Sequence, residues 1–192
     1  MRAENRLHGF TLVELMITVA VLGIVGLLIT PGILAYIPQY RVDRAARALA
    51  AEMQLARMRA IARNHTHHVA FNTSAQTITV YEDADNDWST TNTVVKTIDL
   101  GSDFPNVRID YNSVTGIDGG PIAQAVRFGT SSNPVRATFL PNGMMVDPGV
   151  VYLIPGGDKG VRNDRMRAVE VKRAGHVILY RYNTALGSWE EY

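Results

Sequence analysis

The sequence predicts an α+β protein in which a long N-terminal helix, one half transmembrane and one half amphipathic, packs on an antiparallel, β-rich globular head. Three observations lead there. From Phe10 to Ile37 the chain is an apolar run of 28 residues whose only charged side chain is Glu14. From about Arg41 to Asn64 apolar residues recur at helical spacing. Beyond Asn64 the period shortens to two, and turn residues punctuate the chain.

Residues 1–9 (MRAENRLHG) form a basic leader. Arg2 and Arg6, ahead of the apolar run, favour a cytoplasmic N-terminus. As a helix the run measures about 42 Å, enough to cross a hydrocarbon core of about 30 Å. It exceeds the roughly 7–15 residues of a secretory signal core, and no small-x-small cleavage site follows it, so it reads as an anchor. An acidic residue at the centre of such a helix costs roughly 3 kcal/mol, which marks Glu14 as functional. Pro31 removes a backbone donor and crowds the preceding turn, so a helix break is expected there.

Residues 38–64 form the amphipathic half. Val42, Ala46, Leu49, Met53, Ala56 and Ala60 make one stripe at three-to-four spacing, with arginines off it or at its edge. Residues 65–192 form the head. Nine short strands are expected: 69–71, 77–81, 94–100, 107–111, 125–128, 135–140, 150–154, 166–172 and 176–182. Turn signals such as Asp118-Gly-Gly-Pro121 and Pro141-Asn-Gly143 separate them. The pattern suggests a sandwich or a strongly curved sheet, against which the helical stripe packs.

The chain has 19 basic and 18 acidic residues. Removing residues 1–9 takes away Arg2, Arg6 and Glu4 and leaves 17 of each, so global charge argues for no polyanionic partner. With no cysteine, an exported head must be held by its own core. No nucleophile motif, phosphate loop or paired-carboxylate arrangement is present; neither catalysis nor a cofactor is expected.

The basic leader ending in Gly9, the segment Phe10-Thr-Leu-Val-Glu14 and the apolar continuation resemble the class III signal of type IV pilins and type II secretion pseudopilins. The resemblance implies that a prepilin peptidase cuts between Gly9 and Phe10 and that Phe10 is then N-methylated. It also implies that Glu14 docks the subunit into a filament and that Pro31 is the helix-melting proline. The physics agrees. Cleavage creates a cationic amine at Phe10 in an apolar setting, and Glu14, one turn along, is the nearby group able to compensate it in its own chain or a neighbour's.

The helix followed by a strand-rich body, the acidic loop Glu82–Trp88, the segment Phe139-Leu-Pro-Asn-Gly143 and a terminal strand pair are similar to the GspH/FimT-type minor pseudopilins. That likeness implies a structural subunit of a type II secretion pseudopilus or type IV pilus. The chain would be single-pass in the inner membrane, head periplasmic, until incorporated. Its partners would be other pilins or pseudopilins through the N-terminal helix, the prepilin peptidase and an inner-membrane assembly platform. The alternative is a pilus-tip module binding DNA or secreted cargo.

Three smaller constellations remain. Asp83, Asp85 and Asp87 alternate as at the start of a calcium loop, but Trp88 replaces the turn glycine and no closing glutamate follows, so a solvated acidic turn is the preferred reading. His65, His67 and His68 cluster without a third metal ligand evident from sequence. Arg165, Arg167, Lys172 and Arg173 make the C-terminal third locally basic and are the candidate DNA contacts. In some FimT-type proteins a Gly-Arg-x-Arg motif binds DNA; the corresponding stretch here, Gly175-His176-Val177-Ile178, lacks both arginines.

Overall fold

The computed structural model describes residues 10–85, 92–129 and 135–192, without the side chains of residues 27–35. Helix α1 spans Leu12–Arg63. The chain divides into two compact units, Met1–Ile37 and Pro38–Tyr192. In the first, large apolar side chains from Leu12 to Val25 are exposed all round the helix. Among the described residues no helix is long and apolar enough to cross a membrane. Helix α1 runs without interruption through Pro31, where the sequence led us to expect a break; the Pro31 side chain lies outside the described residues, as does Gly9.

The second unit is α+β. After α1 come β1 (Thr66–Asn72), β2 (Thr77–Asp83), β3 (Thr93–Asp99), the short α2 (Leu100–Asp103), β4 (Val107–Ile109), β5 (Val126–Phe128) and β6 (Arg136–Phe139). Then follow β7 (Gly149–Pro155), β8 (Arg167–Val171), β9 (Val177–Asn183) and β10 (Ser188–Glu191). All strand pairings are antiparallel. One sheet has the order β3-β2-β1-β6; the other runs β10-β9-β8-β7-β4, with β5 also paired to β7.

All six residues of the helical stripe are buried, joined by Ala45 and Ala50. They share one core with Val69, Phe71, Ile78 and Val80 of the first sheet and Ile109, Val151, Leu153 and Val169 of the second. Burial of each aliphatic side chain contributes about 1.5–3 kcal/mol, which commits this helical half to the sheets. In β7, alternation sends Val151 and Leu153 into that core and Val150 and Tyr152 into a smaller cluster with Tyr111, Ile122, Tyr180 and Trp189. Buried on both faces, β7 has no polar alternation.

The Pro141-Asn-Gly143 turn holds the outer edge of β6 against α1. Arg57 Nε donates to the Gly143 carbonyl at 2.9 Å. Gly143 has φ +76°, and a Cβ there would sit 2.7 Å from Ile61 Cδ1. Gly143→Ala is therefore expected to cost about 1–2 kcal/mol, the left-handed backbone penalty plus a helix-side clash, read as a lower urea midpoint with unchanged m-value.

Candidate functional site

Helix α1 begins at Leu12, so Thr11 is its N-cap and Glu14 its third residue. Thr11 Oγ1 accepts from the Glu14 backbone N–H at 3.2 Å. In return Glu14 Oε2 accepts from the Thr11 backbone N–H at 2.9 Å and from the Thr11 hydroxyl at 3.0 Å. This reciprocal capping box satisfies two otherwise orphaned backbone donors and fixes where the helix starts. The Thr-x-x-Glu spacing that makes it stands in the sequence at Thr11 and Glu14. Phe10, just before the cap, is exposed at 86%. The start of the helix is thus fixed with the Glu14 carboxylate folded back on Thr11.

The candidate DNA contacts do not form a common basic face. Arg165 is buried, with Nη1 3.4 Å from Asp158 Oδ1. Arg167 is 2% exposed; its Nε donates to Asp43 on α1, and its Nη1 to the carbonyls of Asp164 and Met166. Neither guanidinium is presented to a phosphate, which corrects the sequence reading for those two residues. Lys172 is paired with Glu170 at 2.6 Å, and Arg173 donates to the Val146 carbonyl.

The acidic turn is divided as well. Asp83 is 1% exposed and takes a hydrogen bond from His68 Nε2 at 3.0 Å. Asp85 is exposed, and Asp87 lies outside the described residues. Among the described residues no group of three His, Cys, Asp or Glu is placed to hold a metal. An Asp83 carboxylate turned inward on His68 is withdrawn from a solvent-facing calcium loop.

The histidines are explained by the first sheet. His68 stands opposite Thr138 in the β1–β6 register, and Asp83 sits diagonally across on β2. The Thr138 hydroxyl lies 2.9 Å from His68 Nδ1; a neutral imidazole accepts there and donates from Nε2 to Asp83. His67 is fully buried, and His65 Nδ1 lies 2.9 Å from Glu82, which also pairs with Arg63.

Burial lowers the pKa of His68 from 6.5, against the opposing pull of its Asp83 hydrogen bond. Burial likewise lowers that of His67. The unfolded chain therefore binds more protons than the folded one just below pH 6.5. Stability from these residues is present in full above about pH 6.5 and is lost as the pH falls toward the depressed folded values. Melting temperature is expected to fall as pH drops from 6.5 toward 5, and His68→Gln should flatten that slope.

The family model described as Type II transport protein GspH matches residues 45–175, and the model of the prokaryotic N-terminal methylation motif matches residues 5–30. Among solved structures, the type IV minor pilin FimU of Pseudomonas aeruginosa aligns at 14% identity over 74% of this chain and 90% of that chain, with TM-score 0.49. The minor pseudopilin EpsH of the Vibrio cholerae type 2 secretion system aligns at 13% identity over 73% and 97%, with TM-score 0.44. No curated protein matches by sequence. With the GspH model spanning more than half of its length, the chain belongs to the type II transport protein GspH family.

Proposed function

We propose that this chain is a minor pilin or pseudopilin, a structural subunit cut between Gly9 and Phe10, N-methylated at Phe10 and assembled through its N-terminal helix. The observation that carries the reading is the succession, on one chain, of a methylation motif over residues 5–30 and a GspH match over residues 45–175. Before assembly the chain is a single-pass inner-membrane protein with a cytoplasmic N-terminus and a periplasmic head. Phe10–Ile37 is the anchor, and Pro31 the place where the helix opens on packing into the filament. Other pilins, the prepilin peptidase and an assembly platform are its partners, and its work is assembly rather than catalysis.

Gly9 faces the peptidase, where a side chain would obstruct the scissile bond. Gly9→Val is expected to abolish processing while leaving membrane insertion intact. Intact-mass measurement after co-expression with a prepilin peptidase reads the outcome. Loss of residues 1–9 from that variant would count against the assignment of the site. The tip-module alternative draws no support from the buried Arg165 and Arg167.

A further inference from the structure

Six arginines of the head are neutralised by carboxylates, while among the described residues Arg57, Arg59, Arg108 and Arg173 meet none. Arg63, Arg127, Arg162, Arg165, Arg167 and Arg181 each meet a carboxylate. Among the described residues Arg41, Arg44 and Arg47 meet none, although they lie one turn apart along α1. Asp43, between them in sequence, is taken by Arg167. Arg44 instead lies over the rings of Tyr40 and Phe104 at 5.8 and 5.9 Å, Arg47 over Tyr192 at 5.2 Å, and Arg41 donates to the Pro105 carbonyl at 3.3 Å. A guanidinium attracted to an aromatic ring in this way still has N–H donors for oxygen acceptors such as phosphate.

We propose that Arg41, Arg44 and Arg47, with the exposed Tyr40, form a surface that binds the phosphate headgroups of an anionic phospholipid bilayer while the subunit awaits assembly. The proposal rests on reading Phe10–Ile37 as the anchor. Position supplies the partner. Arg41, Arg44 and Arg47 lie about 4, 9 and 13 Å of helix beyond Pro38, so long side chains keep their charges near a screening length of about 8–10 Å from the membrane surface. Tyrosine beside basic residues at the end of an apolar run is the composition of a membrane–water interface. The surface holds the head to the bilayer by contacts that extraction into a filament breaks.

The test uses the full chain reconstituted in vesicles of phosphatidylcholine, or of an equal mixture with phosphatidylglycerol. Arginine modification by phenylglyoxal, an uncharged reagent, is followed residue by residue through peptide mass spectrometry. Phosphatidylglycerol is expected to slow modification of Arg44 and Arg47 by about fivefold, the ratio set by the attraction of one cation to an anionic surface. Arg127 and Arg181 should be unchanged, and high salt should remove the protection. Equal rates in both vesicles, or equal protection of Arg181, would overturn the proposal. Protection by a duplex oligonucleotide but not by phosphatidylglycerol would assign the surface to nucleic acid and also overturn it. Failure of the chain to float with either vesicle would instead bring down the anchor reading, and this inference with it.

Discussion

Glu14→Gln is expected to be cut and inserted normally yet to enter filaments about a hundredfold less often than the wild type. The carboxamide oxygen still accepts from the Thr11 backbone, so the capping box survives while the charge is gone. A cationic Phe10 amine left unpaired in an apolar setting costs several kcal/mol, and about 2.7 kcal/mol is a hundredfold. Thr11→Val makes the opposite cut: it removes the hydroxyl that caps Glu14 N, at about 1 kcal/mol of helix-start stability, and keeps the charge. It should incorporate nearly as well as wild type. Glu14→Ala loses both and should match Glu14→Gln. The readout is the fraction of processed subunit recovered in sheared filaments. If Thr11→Val fails and Glu14→Gln succeeds, the carboxylate matters for helix geometry and not for charge pairing.

Asp83→Ala is expected to destabilise the head by about 3 kcal/mol. It leaves the buried His68 Nε2–H without its acceptor and removes the carboxylate that offsets the nearby Arg136 charge. For a domain of this size that corresponds to a fall in melting temperature of about 6–12 °C. Asp83→Asn, which can still accept from His68, should lose about half as much. Donation from His68 to Asp83 raises the His68 pKa, so its loss lets that pKa fall further and extends the acid-sensitive window to lower pH. An unchanged melting temperature in Asp83→Ala, together with a calcium-dependent rise in the wild type, would return Asp83 to the ion-binding reading.

What the sequence made legible follows from which interactions are local. The stripe from Val42 to Ala60 was readable because one helical face meets one core, and every residue of it is buried. The nine anticipated strands carry period-two or continuous apolar runs. The tenth, β10, is only Ser188-Trp-Glu-Glu191; two carboxylates in four residues conceal a strand held by pairing to β9 and by the Trp189 indole donating to the Thr115 carbonyl. β1 starts at Thr66 rather than Val69 because two histidines, polar by composition, are buried in the strand ahead of Val69. The burial of Arg167 was beyond reach for a different reason: its partner Asp43 lies 124 residues away, and no spacing rule couples them. The capping box is legible as Thr11-Leu-Val-Glu14, because all of its contacts lie within four residues. That Arg41, Arg44 and Arg47 meet no carboxylate is visible only in the structure, where Asp43 between them is taken by Arg167.

The end of the first sheet bears on what happens when heads are crowded together. β3 is an edge strand of seven residues, and much of its surface faces solvent, including Val94 at 56% exposure. A strand of that length could recruit the edge of another head and begin runaway stacking. Its guard is Lys96, whose ammonium is drawn across to the nearly buried Glu52 of α1. A cation placed mid-strand makes self-pairing repulsive, and tying it to the helix keeps the edge from peeling away. One ion pair thereby guards the edge of the first sheet against the edge of another head.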